Sequence, residues 1–446
     1  MFYGLLGTAV RVGSNILLLP LALTHLSSAE MAAWWLFLSL GANSNLADFG
    51  FGPVITRVYS YLWAGADDFE AEGLRPGSTS GLPNLPRIGQ LHATVARLYT
   101  LLSGLVALAL AFAGTWFLLR IMQLIADERS AWLAWTIFAA MTIFNLKTSY
   151  WGLAVQGINK VREVQFANLL GGLFYLVTGG LLLLAGAKLL ALAAAVAARA
   201  FVFRLVCIFV FRQATDRQIL KQARADRSML ARLWPNAWKL GIMSLGAYCI
   251  TQGLILIASR FLPVETVASL GLTQQLGIFA TSIAALWLQV KWPEITILRT
   301  QNRLTEMSVL FAHRLLLTVA TFAVIAGAII LLGNQLLAWK ATHTRLLPLL
   351  PLIYYLAYLA FQMTYGTFAV LTMTQNVIPF YRVAIFTGVA TVIVSIFMTA
   401  RWQLWGLLLA PLICEAYNAW FVIRLGLASQ PLSPREFLRA GLARRA

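Results

Sequence analysis

The chain has 446 residues, of which 60% are hydrophobic and 11% charged, and its formal net charge is +18. Soluble domains carry about 25% charged and about 45–50% apolar residues, so at a mean hydropathy of +0.77 no water-soluble core can hide this chain. The basic excess would suit nucleic acid, but no soluble basic domain with base-stacking aromatics lies outside the apolar runs, which excludes that partner.

A helix crossing a bilayer needs about 20 mostly apolar residues. Such runs occur near residues 3–23, 32–56, 98–119, 131–155, 165–186, 189–211, 238–259, 266–290, 309–333, 346–373, 378–400 and 404–427. They predict an all-α polytopic membrane protein of about 12 transmembrane helices in two six-helix lobes. Residues 1–211 form the N-terminal lobe, 212–236 a basic linker, 237–428 the C-terminal lobe and 429–446 a basic tail. Met1 opens directly into the first run without a basic leader or a small-residue cleavage site, so that run reads as a retained span.

Helix 1 carries Gly4, Thr8, Arg11 and Asn15 at spacings of four, three and four, which puts them on one face. Helix 2 bears Ser44, Asn45 and Asp48 and then Gly50-Phe51-Gly52-Pro53, where a break is expected. Breaks at membrane depth line cavities. Residues 64–90, rich in Gly, Pro, Ser, Asp and Glu, read as a loop. Helix 4 aligns Asn145, Ser149, Gly152 and Gln156, with Lys147 on the adjacent face.

Helix 6 contains Arg199 and Arg204; Arg204 lies close enough to the helix end for its stem to reach the headgroups, and Arg199 is deeper. Helix 8 aligns Gln275, Ser282 and Gln289 ahead of Lys291 and Glu294. Tyr358, Gln362, Tyr365 and Thr372 share one side of helix 10, and Thr387, Thr391 and Ser395 one side of helix 11. Glu415 and Asn418 stand one turn apart in helix 12. The Ser and Thr stripes read as interhelical hydrogen-bonding seams.

The two halves echo each other weakly. Leu26, Glu30, Ala33 and Leu40-Gly41 find counterparts in Leu262, Glu265, Ala268 and Leu276-Gly277, at an offset of about 235 residues.

Of the 34 Lys and Arg, 23 are assigned to one side of the membrane, counting those close to span ends such as Lys239, Arg314 and Arg382, 7 to the other side and 4 to the span interiors. The positive-inside rule makes the rich side, and both termini, cytoplasmic. Cys207, Cys249 and Cys414 lie singly in apolar runs, and the four His lack ligand spacing, so neither a disulfide framework nor a metal site nor a cofactor is indicated.

Charge at a membrane midplane costs about 2.5–3.5 kcal/mol or more. Arg11, Asn15, Arg57, Lys147, Lys291 and Arg199 are therefore the candidate substrate-binding, cationic cavity. For Arg57 and Lys291, near helix ends, anchoring at the headgroups is the alternative. Asp48 and Glu415 are candidates for ion coupling or for ion pairs with the buried cations.

Leu17-Leu18-Leu19-Pro20-Leu21-Ala22-Leu23, His25-Leu26-Ser27, Glu30, Trp34-Trp35-Leu36-Phe37-Leu38-Ser39-Leu40, Asp48-Phe49-Gly50-Phe51-Gly52-Pro53 and Arg57 resemble the first hairpin of bacterial O-antigen and polysaccharide flippases. Gln156-Gly157-Ile158-Asn159-Lys160-Val161-Arg162-Glu163 and Trp238-Lys239-Leu240-Gly241-Ile242-Met243-Ser244-Leu245-Gly246-Ala247-Tyr248 extend the likeness over roughly the first 290 residues. These flippases belong to the multidrug/oligosaccharidyl-lipid/polysaccharide (MOP) exporter superfamily.

The resemblance implies a MATE-like fold of two lobes around a V-shaped cavity, working by alternating access in the bacterial inner membrane. The implied cargo is an oligosaccharide on undecaprenyl diphosphate, moved to the periplasmic leaflet, with membrane lipids and a glycan polymerase of the same membrane as partners. Arg11 and Arg57 occupy places matching cationic residues of that family, and Lys147 and Lys291 match more loosely. Coupling would be to protons, sodium or the membrane potential.

An ion-coupled multidrug exporter shares the architecture, and Asp48 and Glu415 keep that reading open. A membrane-embedded glycan polymerase or ligase would carry a large external catalytic loop, whereas the loops on the basic-poor side are all short. The chain therefore reads as a transporter and not an enzyme.

Overall fold

The computed structural model describes residues 17–42, 46–67, 82–215, 223–339, 342–375 and 379–442. Arg11 and Asn15, with Ser44 and Asn45, lie outside the described residues. The described elements are helices throughout. Two compact units divide the chain, Met1–Tyr248 and Cys249–Ala446.

The N-terminal unit begins with the end of α1 (17–25) and continues through α2 (Ser28–Gly41), α3 (Phe51–Trp63), α4 (Leu85–Met122), α5 (Glu128–Lys147), α6 (Tyr150–Gly157), α7 (Val161–Leu184) and α8 (Lys188–Ala214). Ser27 starts α2 through a capping box: Glu30 N–H donates to Ser27 Oγ at 3.2 Å, and Ser27 N–H donates to Glu30 Oε2 at 2.8 Å. Lys188 at the head of α8 pairs with the same carboxylate at 3.1 Å, tying two helix N-termini together.

One face of α4 presents Leu101, Leu105, Leu108 and Phe112, the last 75% exposed, while Val95, Tyr99, Val106 and Leu110 on the opposite side are buried. A helix apolar on both its inner and outer faces belongs in hydrocarbon. Seven described helices are long and apolar enough to span a membrane, and one of them folds back into two arms. A five-residue π turn, Leu110–Gly114, interrupts α4 where Gly114 meets Trp135 of α5; a Cβ there would stand 2.8 Å from that ring.

The break expected in helix 2 is present, and helix 4, expected to be continuous, is broken as well. Helix 2 divides into α2 and α3; Phe49 (φ 44°) and Gly50 (φ 73°) carry the left-handed turn, and Pro53 sits in the first turn of α3, where its missing donor costs no helical bond. Helix 4 divides at Thr148-Ser149 into α5 and α6. The break exposes the Asn145 carbonyl, and Arg204 of α8 fills the gap: its Nη2 donates to Asn145 O at 3.2 Å and to Asn145 Oδ1 at 3.1 Å. Arg204 is 2% exposed, so it does not snorkel to the headgroups. It neutralises the negative end of a broken helix instead. At the far end of α6, Gly157 packs directly on Tyr59 and the Thr56 carbonyl, and Asn159 takes the left-handed conformation (φ 63°).

The next helix, α9 (Arg227–Thr251), starts where Ser228 N–H and Oγ donate to the Asp226 carboxylate at 2.8 and 2.9 Å, which holds that carboxyl below the ordinary carboxylate range. The boundary between the units falls inside α9 and not in the 212–236 segment. The reason is packing: Trp234 stacks on Phe49 at 6.0 Å, Gly241 meets the same ring, and Tyr248 OH donates to Ser39 O at 3.0 Å.

The C-terminal unit contains α10 (Gly253–Phe261), α11 (Val264–Gln289), α12 (Trp292–Thr300), α13 (Leu304–Trp339), α14 (Leu349–Met373), α15 (Tyr381–Ala428) and α16 (Pro434–Leu442). The two arms of α15 reverse at Trp402 and Gln403 (φ 49°, ψ −130°), and Gly406 lies against the Met398 carbonyl, where a side chain would collide. Phe437 of α16 is wedged between Phe311 of α13 and Phe368 of α14, at 5.9 and 6.0 Å.

The echoed segments open α2 and α11, respectively. Leu26 and Leu262 are buried at the two starts, Ala33 and Ala268 inside, and Gly41 and Gly277 each receive a large side chain, Phe138 and Leu359.

Gly157→Val should lower the thermal unfolding midpoint of the purified protein, an overpacking cost of about 1–3 kcal/mol; an unchanged midpoint would mean that α3 and α6 can separate freely. Arg204→Leu should leave the Asn145 carbonyl unsatisfied, at about 1–3 kcal/mol. Arg204→Lys, which keeps a donor, should recover part of that loss in the same melting experiment.

Candidate functional site

In the N-terminal unit the break before α3 positions Asp48. Its Oδ2 accepts the Gly52 N–H at 2.9 Å, and its Oδ1 accepts the Tyr99 hydroxyl from α4. The carboxylate thus satisfies one of the orphan donors at the head of α3 and opposes the positive end of its dipole. Gly52 makes room for this, since a Cβ there would stand 2.9 Å from Asp48 Oδ2. Among the described residues no basic group lies within ion-pair distance of Asp48.

Tyr99 belongs to a buried polar line on α4 with His92 and Ser103. The His92 ring stacks on Phe211 at 4.9 Å, meets Trp151 edge-on at 4.4 Å, and shares a 3.0 Å hydrogen bond with Tyr59 OH. Sequence reasoning left both His92 and Tyr99 aside. Their spacing of seven, which places them on one face of a helix, was the signal available.

The sequence-derived cations are distributed unequally. Arg57 on α3 and Lys147 at the end of α5 are exposed, with no hydrogen-bond or ion-pair partner among the described residues. Arg199 on α8 is half-buried, and its main chain packs against Gly171 of α7, where a Cβ would stand 3.2 Å from the Arg199 carbonyl. Lys291, in the C-terminal unit, is paired: its Nζ lies 2.6 Å from Glu294 Oε2 across the start of α12.

The C-terminal unit has its own carboxylate centre. Glu415, fully buried on the second arm of α15, accepts the Tyr358 hydroxyl at 3.0 Å on Oε2 and the Gln362 amide at 3.2 Å on Oε1. The Gln362 Nε2 also donates to the Tyr358 oxygen at 3.3 Å. Tyr358 and Gln362 stand four apart on α14, so one face presents both to the carboxylate. As at Asp48, the charge is met by neutral donors, and no cation lies within ion-pair distance among the described residues.

Beside this centre lies a cavity of about 370 Å³, with Thr251, Gln274, Thr281, Ser282, Tyr358 and Gln362 among its polar lining. The helix-8 stripe is partly realised there, through Ser282 and Gln289. Two hydroxyls of the Ser and Thr stripes turn back on their own helices and do not form interhelical seams: Ser282 donates to Ile278 O at 2.7 Å and Thr372 to Phe368 O at 3.0 Å. The buried Ser395 and Thr399 hydroxyls have no partner among the described residues. No group of His, Cys, Asp and Glu suited to a metal ion occurs among the described residues.

No family model matches this chain, and no curated protein matches it. Solved structures do. It is similar to an inward-facing multidrug resistance MATE family transporter of the MOP superfamily, with a TM-score of 0.66 and 11% identity over 94% of this chain and 95% of that one. It is also similar to the MATE multidrug transporter DinF-BH in complex with rhodamine 6G, with a TM-score of 0.61 and 12% identity over 98% and 95%. The lipid II flippase MurJ, in an inward closed conformation, gives a TM-score of 0.57 and 12% identity over 99% and 90%. These neighbours are transporters and a flippase, not enzymes. This chain is a multi-pass, all-helical membrane protein with the fold of the MOP-superfamily transporters.

Proposed function

We propose that this chain is a flippase that moves an undecaprenyl-diphosphate-linked O-antigen or polysaccharide repeat unit from the cytoplasmic to the periplasmic leaflet of a bacterial inner membrane. The observation that carries this reading is the pair of cations on broken helices, Arg57 and Lys147, left without protein partners among the described residues. Arg11, with Asn15 four positions on in the sequence, adds a further cation and a neutral amide to the set read from the sequence.

The chemistry follows from desolvation. A diphosphate entering bare hydrocarbon loses its hydration shell at prohibitive cost, whereas fixed guanidinium and ammonium groups replace that shell with charge-assisted hydrogen bonds. The polyprenyl chain needs no such help and stays in the bilayer. Alternating access then lets the polar head cross while the cations travel with it or hand it over. Membrane lipids and a glycan polymerase in the same membrane are the partners this role calls for.

A second reading, an ion-coupled multidrug exporter of the same fold, is favoured by one observation. Glu415 is a buried carboxylate without a counter-cation among the described residues, beside a cavity.

In a bacterium whose surface glycan depends on this chain, Arg11→Ala is expected to abolish periplasmic delivery of the glycan while protein abundance in the membrane stays the same; wild-type surface glycan would overturn the cationic assignment. Arg57→Ala and Lys147→Ala should each reduce delivery roughly tenfold, the scale of one lost charge-assisted hydrogen bond. Rhodamine 6G extrusion from intact cells decides between the readings: the flippase leaves it at background, and extrusion lost in Glu415→Gln would establish the exporter.

A further inference from the structure

No charged residue lines the cavity of the C-terminal unit. Much of its hydrogen-bonding wall can be assigned group by group. Gln274 Nε2 donates to the Thr251 carbonyl at 2.9 Å, and because a carbonyl only accepts, the amide orientation is fixed. Gln362 Nε2 spends its donors on Glu415 Oε1 and the Tyr358 oxygen, and a carboxylate fixes that amide in the same way. Tyr358 donates to Glu415, while Thr281 and Ser282 donate to the Ile278 carbonyl at 2.9 and 2.7 Å.

Several donors are thus consumed inside the wall, while Gln274 keeps a second N–H and the Gln289 amide, also in the lining, adds donors and an acceptor. What remains is a mixed set of donors and acceptors without formal charge, including the Oε1 atoms of Gln274 and Gln362 and the hydroxyl oxygens of Thr281 and Ser282. A phosphate or carboxylate would lose its water there without finding a cation. A ring bearing several hydroxyls offers both a donor and an acceptor at each hydroxyl, which matches such a wall. Its apolar face can rest on Tyr355 and Leu254, which also line the cavity. At about 370 Å³ the space is at the lower end of small-molecule sites, about 300–1,000 Å³, and suits a sugar ring or two better than a whole repeat unit.

We infer that this cavity holds an uncharged, hydroxyl-rich sugar ring of the cargo, separately from the residues that take the diphosphate. The inference rests on the flippase reading.

The test uses the full-length protein in lipid nanodiscs and neutral methyl glycosides of hexoses and N-acetylhexosamines, read by saturation-transfer NMR. Wild-type protein is expected to transfer saturation to the ring protons, and equimolar pyrophosphate should not displace the sugar. Ser282→Phe, which fills the space, should abolish the signal. Thr281→Val, nearly isosteric and so safe for folding, should weaken binding roughly three- to tenfold. Signals unchanged in both variants, displacement by pyrophosphate, or rhodamine 6G binding in place of every glycoside would each overturn the inference. Surface glycan measured in parallel separates the two claims. Delivery that needs this chain yet ignores both substitutions sinks the sugar site alone, whereas glycan delivery that does not need the chain sinks the flippase reading and the sugar site with it.

Discussion

Hydrocarbon offers no water to a backbone N–H or C=O, so every interruption of a spanning helix has to be answered by a side chain. Two such answers organise the N-terminal unit. Asp48 receives the Gly52 N–H released where helix 2 breaks, and Arg204 donates to the Asn145 carbonyl released where helix 4 breaks. The signs are those that helix dipoles demand: a carboxylate at a helix start, a guanidinium at a helix end. Ionisable residues at membrane depth in this fold therefore include caps as well as candidates for transport, and the two kinds are told apart by their partners.

That distinction bears on how much could be read from the chain itself. The multi-pass, all-helical character followed from apolar runs alone, and the Gly50–Pro53 segment announced a break near Asp48. The segment Gln156-Gly157-Ile158-Asn159 was legible only as part of a family likeness; the close contact of Gly157 with Tyr59 and the positive φ of Asn159 come from packing. Arg204 was not legible in this way. Its partners are the main-chain and side-chain oxygens of Asn145, 59 positions earlier, and no side-chain pattern advertises a released main-chain carbonyl. Lys291 and Glu294 stand three apart in the sequence, but only the structure shows them paired, at 2.6 Å. Glu415 was visible as a charge, and Tyr358 and Gln362 as a polar face, but only packing joins them.

The two carboxylate centres share a chemical logic despite lying in different units. Each is met by a tyrosine hydroxyl and by a neutral N–H, the Gly52 main chain in one case and the Gln362 amide in the other. Neutral donors satisfy a carboxylate's lone pairs without cancelling its charge, so such groups remain electrostatically active in a way that ion-paired ones do not. The two units also use glycine alike at the echoed positions Gly41 and Gly277, where large side chains from neighbouring helices settle. Repeated close approach at equivalent places is what two copies of one helical plan would retain.

Arg204 also constrains how the protein can be made. A lone α8 leaving the translocon would have to turn its guanidinium toward the headgroups, a pose different from the buried one it takes in the folded unit. The oxygen that accepts this group sits on α5, synthesised earlier. Biogenesis of the N-terminal unit thus favours lateral release of these segments as a cluster, with α5 kept beside the exit until α8 arrives.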